Sequence, residues 1–273
     1  MRILLTNDDG IHAPGINALY HEAEKLGETR IIAPLTVQSA TSHGMTFHKP
    51  ITAHDITLDN KNTGIAVDGR PADCVKLAIT RLWEDRFGGK PDLVLSGINA
   101  GMNAGIHILY SGTVAAAIEG AFLGIPAIAV SLHYDNFDHI NWKFAAKQAT
   151  YAINKILATN LLQPHSMMNI NIPLTESTSE TDSAPDEKIM PPIAVVPMNL
   201  SAIRDVYDRV NIEHEQESFR IMGDGLDFDH TAAGSDVEAI FQKMITITPL
   251  HYDLTDYAQL SKWRECLHAN NHP

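Results

Sequence analysis

Cysteine is almost absent: Cys74 and Cys266 are the only two in 273 residues, and most of the chain separates them. Two distant thiols give neither a disulfide framework nor a thiolate metal cluster, and they suit a reducing compartment. Cationic residues are also scarce, 20 Lys and Arg against 33 Asp and Glu, which leaves a formal charge of −13. Binding to a nucleic-acid polymer or an anionic membrane needs phosphate-neutralising Lys and Arg, so this balance argues against both as partners. A small phosphorylated molecule stays compatible, because a local metal ion or a helix terminus can reverse the field. No apolar run reaches the roughly 18–20 residues of a membrane span. The N-terminus lacks the cationic-then-apolar pattern of a signal peptide, so a cytoplasmic location is the expectation. Also missing are H-E-x-x-H, the phosphate-loop pattern G-x-x-x-x-G-K-[ST] and the dinucleotide pattern G-x-G-x-x-G.

What is present is an ordinary globular composition, 44% hydrophobic and 19% charged, over a length that suits one large domain. RILLT (Arg2 to Thr6) reads as a short buried strand. PGINALYHEAEKLG then puts Ile16, Leu19, Tyr20, Ala23 and Leu26 on one helical face, with Pro14 near its start and Gly27 at its end. TRIIAP, DLVLSG, PAIAVSL and MMNINIP read as further strands, separated by helical stretches in DCVKLAITRLWEDRFGG, TVAAAIEGAFLG and INWKFAAKQATYAINKILAT. This rhythm predicts an α/β fold, a Rossmann-like and mostly parallel sheet flanked by helices. After Pro173 the character changes. TESTSETDSAPDEK holds five acids and no large apolar residue, which predicts an exposed, mobile loop. Beyond it IAVVPM and MITITPL look like β segments and YAQLSKWRECL is amphipathic, which suits a β-rich extension or hairpin. The organisation expected is one unit over 1–273, with the active site in a core of 1–173 and an acidic loop and arm in 174–273.

In an open parallel sheet, ligands bind beyond the carboxyl ends of the strands. Polar clusters fall at three such ends: Asn7-Asp8-Asp9-Gly10, the loop LTVQSATSHG (Leu35 to Gly44), and SGINAGMNAG (Ser96 to Gly105). Adjacent Asp8 and Asp9 suggest a hard divalent cation such as Mg²⁺ or Mn²⁺, which takes oxygen ligands and removes the repulsion between the acids. An Asx turn with helix capping is the plainer alternative. Ser111, Gly112 and Thr113 begin the alanine-rich helix, where free N–H groups and hydroxyls favour an anion, or where Ser or Thr simply caps. Gly97, Gly101 and Gly105, with Asn99 and Asn103, would let backbone approach a ligand closely. A metal beside an anion cradle points to phosphoryl chemistry. The 14 histidines include His12, His43, His48 and His107 near these loops, but no zinc spacing exists, so surface or supporting roles are expected. Glu119 reads as structural, and core packing is expected for Met102 and Tyr110.

ILLTNDDGIHAPGI, GRPADCV, SGINAGMNAG, YSGTVAAAIEG and GIPAIAVS together resemble the stationary-phase survival protein SurE family, metal-dependent nucleoside monophosphate phosphatases. The likeness is dense over the first ~135 residues and thinner through NINIP, DFDHTAAG and ITPLHYDLT, by the motif logic of ordered spacing. It implies one Mg²⁺ or Mn²⁺ per subunit, held by Asp8, Asp9, Ser39 (with Ser42 as a nearby competitor) and Asn99. It implies phosphate contacts from Asn99, Ser111, Gly112 and Thr113, and homodimers or homotetramers built with exchanged C-terminal elements. The implied substrates are nucleoside 5′-monophosphates, with 3′-monophosphates and short polyphosphate as further ones. Two departures stand out: Arg70 replaces a small residue, usually Thr, and the acidic 175–188 stretch looks like an expansion.

On this reading a metal ion polarises a phosphoryl oxygen and acidifies a water, which attacks in line. Asp8 orients or deprotonates that water. An aspartyl-phosphate route ranks lower, because a metal-bound carboxylate is a poor nucleophile. Two other readings compete, a nucleotide-binding regulator without turnover and a sugar-nucleotide transferase.

Overall fold

The computed structural model describes residues 1–58, 62–175, 189–200, 206–213, 216–222 and 231–269. The N-terminal part alternates strand and helix: β1 (Arg2–Thr6), α1 (Pro14–Ala23), β2 (Glu28–Pro34), β3 (Ala53–Thr57), β4 (Thr63–Val67) and α2 (Pro71–Leu77). A π-helical stretch, Ala78–Leu82, carries α2 into α3 (Trp83–Phe87). Then follow β5 (Leu93–Ala100), a 3₁₀ turn (Gly105–Leu109), α4 (Gly112–Phe122), β6 (Ala127–Leu132), α5 (Trp142–Ala158) and β7 (Met167–Ile172). The remainder supplies β8 (Ile193–Val195), β9 (Val206–Glu213), β10 (Gln216–Met222), α6 (Asp236–Phe241), β11 (Ile245–Leu250) and α7 (Tyr257–Ala269).

Nine strands form one sheet in the order β3-β4-β2-β1-β5-β6-β7-β11-β8. From β4 through β7 every pairing is parallel, while β3 on β4 and β11 on β7 are antiparallel. Strands buried on both faces cannot alternate polar with apolar, and β1 shows why RILLT reads as a continuous run. Its Ile3 and Leu5 enter the core beneath α1 and α5, whereas Leu4 points into the opposite core beneath α2 and α4. Each such side chain, wholly withdrawn from water, contributes about 1.5–3 kcal/mol. The expected apolar face of α1 is realised, with Ile16, Leu19, Tyr20 and Ala23 buried and Pro14 in the first turn. β9 and β10 pair with each other as a separate hairpin. No described helix is long and apolar enough to cross a membrane.

Three details differ from the pattern read in the sequence. β5 runs on to Ala100, with a register slip between Ser96 and Asn99, so SGIN belongs to the end of the strand rather than to a loop. Strands β3 and β4 lie where periodicity predicts none, because β3 is an edge strand with largely exposed side chains. Of the acidic stretch, Thr175 is buried and 176–188 lie outside the described residues.

The geometry that positions a site comes from the sheet order. The chain steps from β1 to β2 on one side, and β5 later joins β1 on the other. A crevice opens at that reversal, beyond the carboxyl ends of the strands. β1 ends there with Thr6 opposite Ser96, and β5 runs on past it to Ala100.

Candidate active site

The turn after β1 is built by its own side chains. Asn7 is fully buried, and its amide nitrogen donates to the Gly10 carbonyl at 2.8 Å, which folds the acids out of the sheet. Three connections then gather the polar clusters around them. The Gln38 N–H donates to the Asp8 carbonyl at 2.8 Å, so the loop after β2 arrives one residue from Ser39. The Ala100 N–H donates to Asp9 Oδ2 at 3.1 Å, which brings the end of β5 and Asn99 alongside. The Thr113 hydroxyl donates to Asp8 Oδ1, which ties the start of α4 to the same carboxylate.

Gly112 makes that last approach possible. A Cβ added there would lie 2.9 Å from the Asp8 Cβ and 3.1 Å from the Pro71 ring, closer than packed atoms normally approach. Ser111 caps α4, its hydroxyl oxygen accepting the Val114 N–H at 3.1 Å, so the capping role is realised there. The hydroxyl proton of Ser111 is not consumed by that bond and remains a donor. Ser42 stands elsewhere, with its N–H on the Tyr110 carbonyl at 3.0 Å, whereas Ser39 follows the residue that holds Asp8.

Among the described residues no cation offsets the charge of the two aspartates. Burial, with Asp9 beside it, raises Asp8 to about 6 against the lowering effect of the Thr113 hydroxyl. Burial likewise raises Asp9, partly countered by the Ala100 N–H. Each proposed ligand keeps an oxygen in hand. The Asn99 amide nitrogen is spent on the Gly101 carbonyl at 2.6 Å, which presents Oδ1 for another partner. Asn7 Oδ1 is buried beside the aspartates without a hydrogen-bond partner. Two carboxylates, an amide oxygen and the exposed Ser39 hydroxyl are all oxygen donors, a chemistry that fits a hard divalent cation. No group of three His, Cys, Asp or Glu suited to a metal occurs among the described residues.

A profile for the family "Survival protein SurE" matches residues 3–190. The chain belongs to the SurE family. A protein named 5′-nucleotidase SurE from Carboxydothermus hydrogenoformans is 40% identical over 272 residues, 98% of this chain and 97% of that one. A namesake from Rhodopirellula baltica is 40% identical over 265 residues, 97% of this chain and 98% of that one. The crystal structure of SurE protein from Aquifex aeolicus aligns at 33% identity with a TM-score of 0.79, covering 98% of this chain and 100% of that one. A SurE member thus carries its acids at the reversal of the sheet, as the strand ends suggested.

Other features were hidden in the sequence. Gly97 is required by the chain itself, since at φ 143° a Cβ would overlap the Val130 carbonyl rather than crowd a ligand. Tyr110 is 55% exposed instead of packed in a core, and Met102 is half-buried. Beneath the glycine-rich loop Asn103 is buried, its N–H donating to Asn171 Oδ1 at 2.8 Å and its amide to Ser131 at 2.7 Å. The Asn103 carbonyl receives the side-chain amides of Asn169 at 2.7 Å and Asn171 at 3.1 Å. Buried Glu119, on α4, accepts from His43 at 2.8 Å and Lys76 at 2.9 Å. Burial alone would raise it, but those two partners outweigh burial and hold it below the usual glutamate value. A cleft of about 690 Å³ runs along α4 from Ser111 past Ala115 and Ile118 to Phe122, walled on the far side by Tyr252.

Proposed function

We propose that the protein is a divalent-metal-dependent 5′-nucleotidase that hydrolyses nucleoside 5′-monophosphates to nucleoside and phosphate. The observation that carries this reading is the convergence on one acidic pair of Gln38 on Asp8, Ala100 on Asp9 and Thr113 on Asp8. The name borne by the SurE relatives supports the substrate class. Asp8, Asp9, Asn99 and Ser39 would hold one Mg²⁺ or Mn²⁺ per subunit. When bound, such an ion polarises a phosphoryl oxygen and acidifies water.

The residues of the chain do the rest. Asp8 would orient or deprotonate the attacking water. The Thr113 hydroxyl fixes the orientation of that carboxylate. The first turn of α4 and the Ser111 hydroxyl would face the equatorial oxygens, where preorganised donors stabilise charge developed in an in-line transition state. The cleft along α4 offers the nucleoside an apolar wall beginning at the cradle.

The assembly we infer is a homodimer or homotetramer. Tyr207, Val210, Phe219 and Ile221 stand exposed on the β9–β10 hairpin, and an isolated two-stranded ribbon needs cover to be stable. Free Cys74 and Cys266 support a cytoplasmic setting. The decisive assay is phosphate release from AMP with Mg²⁺ or Mn²⁺, abolished by EDTA and restored by metal. A protein that binds AMP with metal yet releases no phosphate is the regulator instead.

A further inference from the structure

A second cavity of about 340 Å³ is lined by Gln38, Thr46, His48, Lys49, Asp68 and Arg70 among others. Gln38 joins it to the site, since its N–H holds the Asp8 carbonyl. The opposite wall is joined as well, because Pro71, next to Arg70, packs where a Gly112 Cβ would stand. Met45 and Phe47 line both this cavity and the cleft along α4, so the two hollows meet around one loop.

The charges in the cavity do not cancel. Lys49 is answered by Asp68 at 3.2 Å. Arg70 has no carboxylate partner for its guanidinium among the described residues; its backbone N–H donates to Asp73 Oδ2 at 2.9 Å and its carbonyl accepts the Cys74 N–H at 3.0 Å. That guanidinium lies on the backbone of Gly44, where an added Cβ would overlap it. Its platform is firmly held, since Asp73 also accepts the Thr46 N–H at 3.0 Å and the Thr46 hydroxyl at 2.7 Å. A chain of net charge −13 thus lines this cavity with a guanidinium that no described carboxylate pairs. The planar fork of Arg matches two phosphate oxygens at once.

We propose that this cavity is a second phosphate subsite anchored by Arg70, holding a phosphate group other than the one hydrolysed. That group is either a second phosphate on the substrate, as in a nucleoside bisphosphate, or a free phosphate ion. The inference rests on the phosphatase reading and adds to it which substrates the mouth prefers.

The test compares the metal-loaded protein with R70T and R70K, using AMP, adenosine 3′,5′-bisphosphate and inorganic phosphate. Melting curves first establish that the variants are folded. If the second phosphate belongs to the substrate, R70T lowers the ratio of kcat/KM for the bisphosphate over AMP about tenfold, and R70K recovers part of it. If it is free phosphate, that ratio holds. Inhibition of AMP hydrolysis by phosphate then loses its noncompetitive component in R70T. Calorimetric titration with inorganic phosphate needs no turnover: the subsite appears as a second binding event, present in the unmodified protein and lost in R70T. An equal fall for both substrates would assign Arg70 to the scissile phosphate and overturn the subsite. So would an unchanged ratio together with unchanged phosphate binding. Absence of AMP hydrolysis by the unmodified protein sinks the phosphatase reading alone, and the titration still decides the subsite.

Discussion

The carboxylate of Asp236 accepts the backbone N–H of Gly105 at 2.8 Å, across 131 positions of sequence. Its other oxygen takes the N–H groups of Asn199 and Val237, both at 2.8 Å, so one buried side chain staples the active-site loop to the C-terminal part. Burial raises its pKa against the lowering effect of those amides. Asp236→Ala should cost about 3 kcal/mol or more, because several donors to a charged acceptor are orphaned together. Urea unfolding measures the loss. A midpoint within error of the unmodified protein would contradict the staple.

Asp8→Asn and Asp9→Asn should each cut AMP turnover by about two orders of magnitude or more, the scale of losing a catalytic base or a charge-stabilising group. Neither should unfold the protein, since each removes a like charge from a buried pair. Metal titration by calorimetry gives the second readout, with affinity reduced in both. Full activity in either variant would remove the metal assignment.

The Asp8 proton gives the metal-free protein a definite pH response. Its folded pKa, about 6, lies above the ordinary value of 3.8, so the native state holds an extra proton between those limits. Stability from this group is present at low pH, declines as pH rises through that window, and is gone above it. The difference corresponds to about 3 kcal/mol. With EDTA, the gap in Tm between Asp8→Asn and the unmodified protein should therefore widen by about 5 °C or more from pH 4 to pH 7.5. Mg²⁺ should narrow it again at pH 7.5. A gap that is flat with pH refutes the assignment.

Gly112→Ala separates catalysis from folding. Its new methyl must displace Asp8 or Pro71, each about 3 Å away. Overpacking of this kind costs about 1–3 kcal/mol, within reach of a stable domain. Misplacing a catalytic group by an ångström costs about a hundredfold in rate, and kcat should fall by that order while the protein stays folded in the absence of urea, its midpoint lowered only by that packing cost. Retention of normal kcat would show that α4 does not press on Asp8.

Local order was legible where side chains answer to their own neighbours. RILLT and the Pro14-to-Ala23 face follow from periodicity, and the structure has them where expected; the Ser111 cap, the plainer of two readings of that residue, is present too. Asp8 and Asp9 were conspicuous because adjacent acids at the end of a core strand ask for a cation. Relations between distant segments were not legible. Nothing near Asp236 in sequence announces Gly105, and nothing near Glu119 announces both Lys76 and His43. The glycines of the β5 loop misled in part, because the atom that excludes a side chain at Gly97 belongs to β6. β3 escaped notice because an exposed edge strand carries no buried stripe.

The place of β11 sets a condition on how the molecule is made. It is the last strand in the chain, yet it lies inside the sheet between β7 and β8. A growing polypeptide can assemble β1 through β7 early, but β7 then waits with a bare row of N–H and C=O groups. Such a row is a template for another chain. Release of an unfinished chain before Ile245 would leave a sticky, open-edged body instead of a smaller enzyme, so the final stretch acts as the latch that makes a newborn molecule safe among its neighbours.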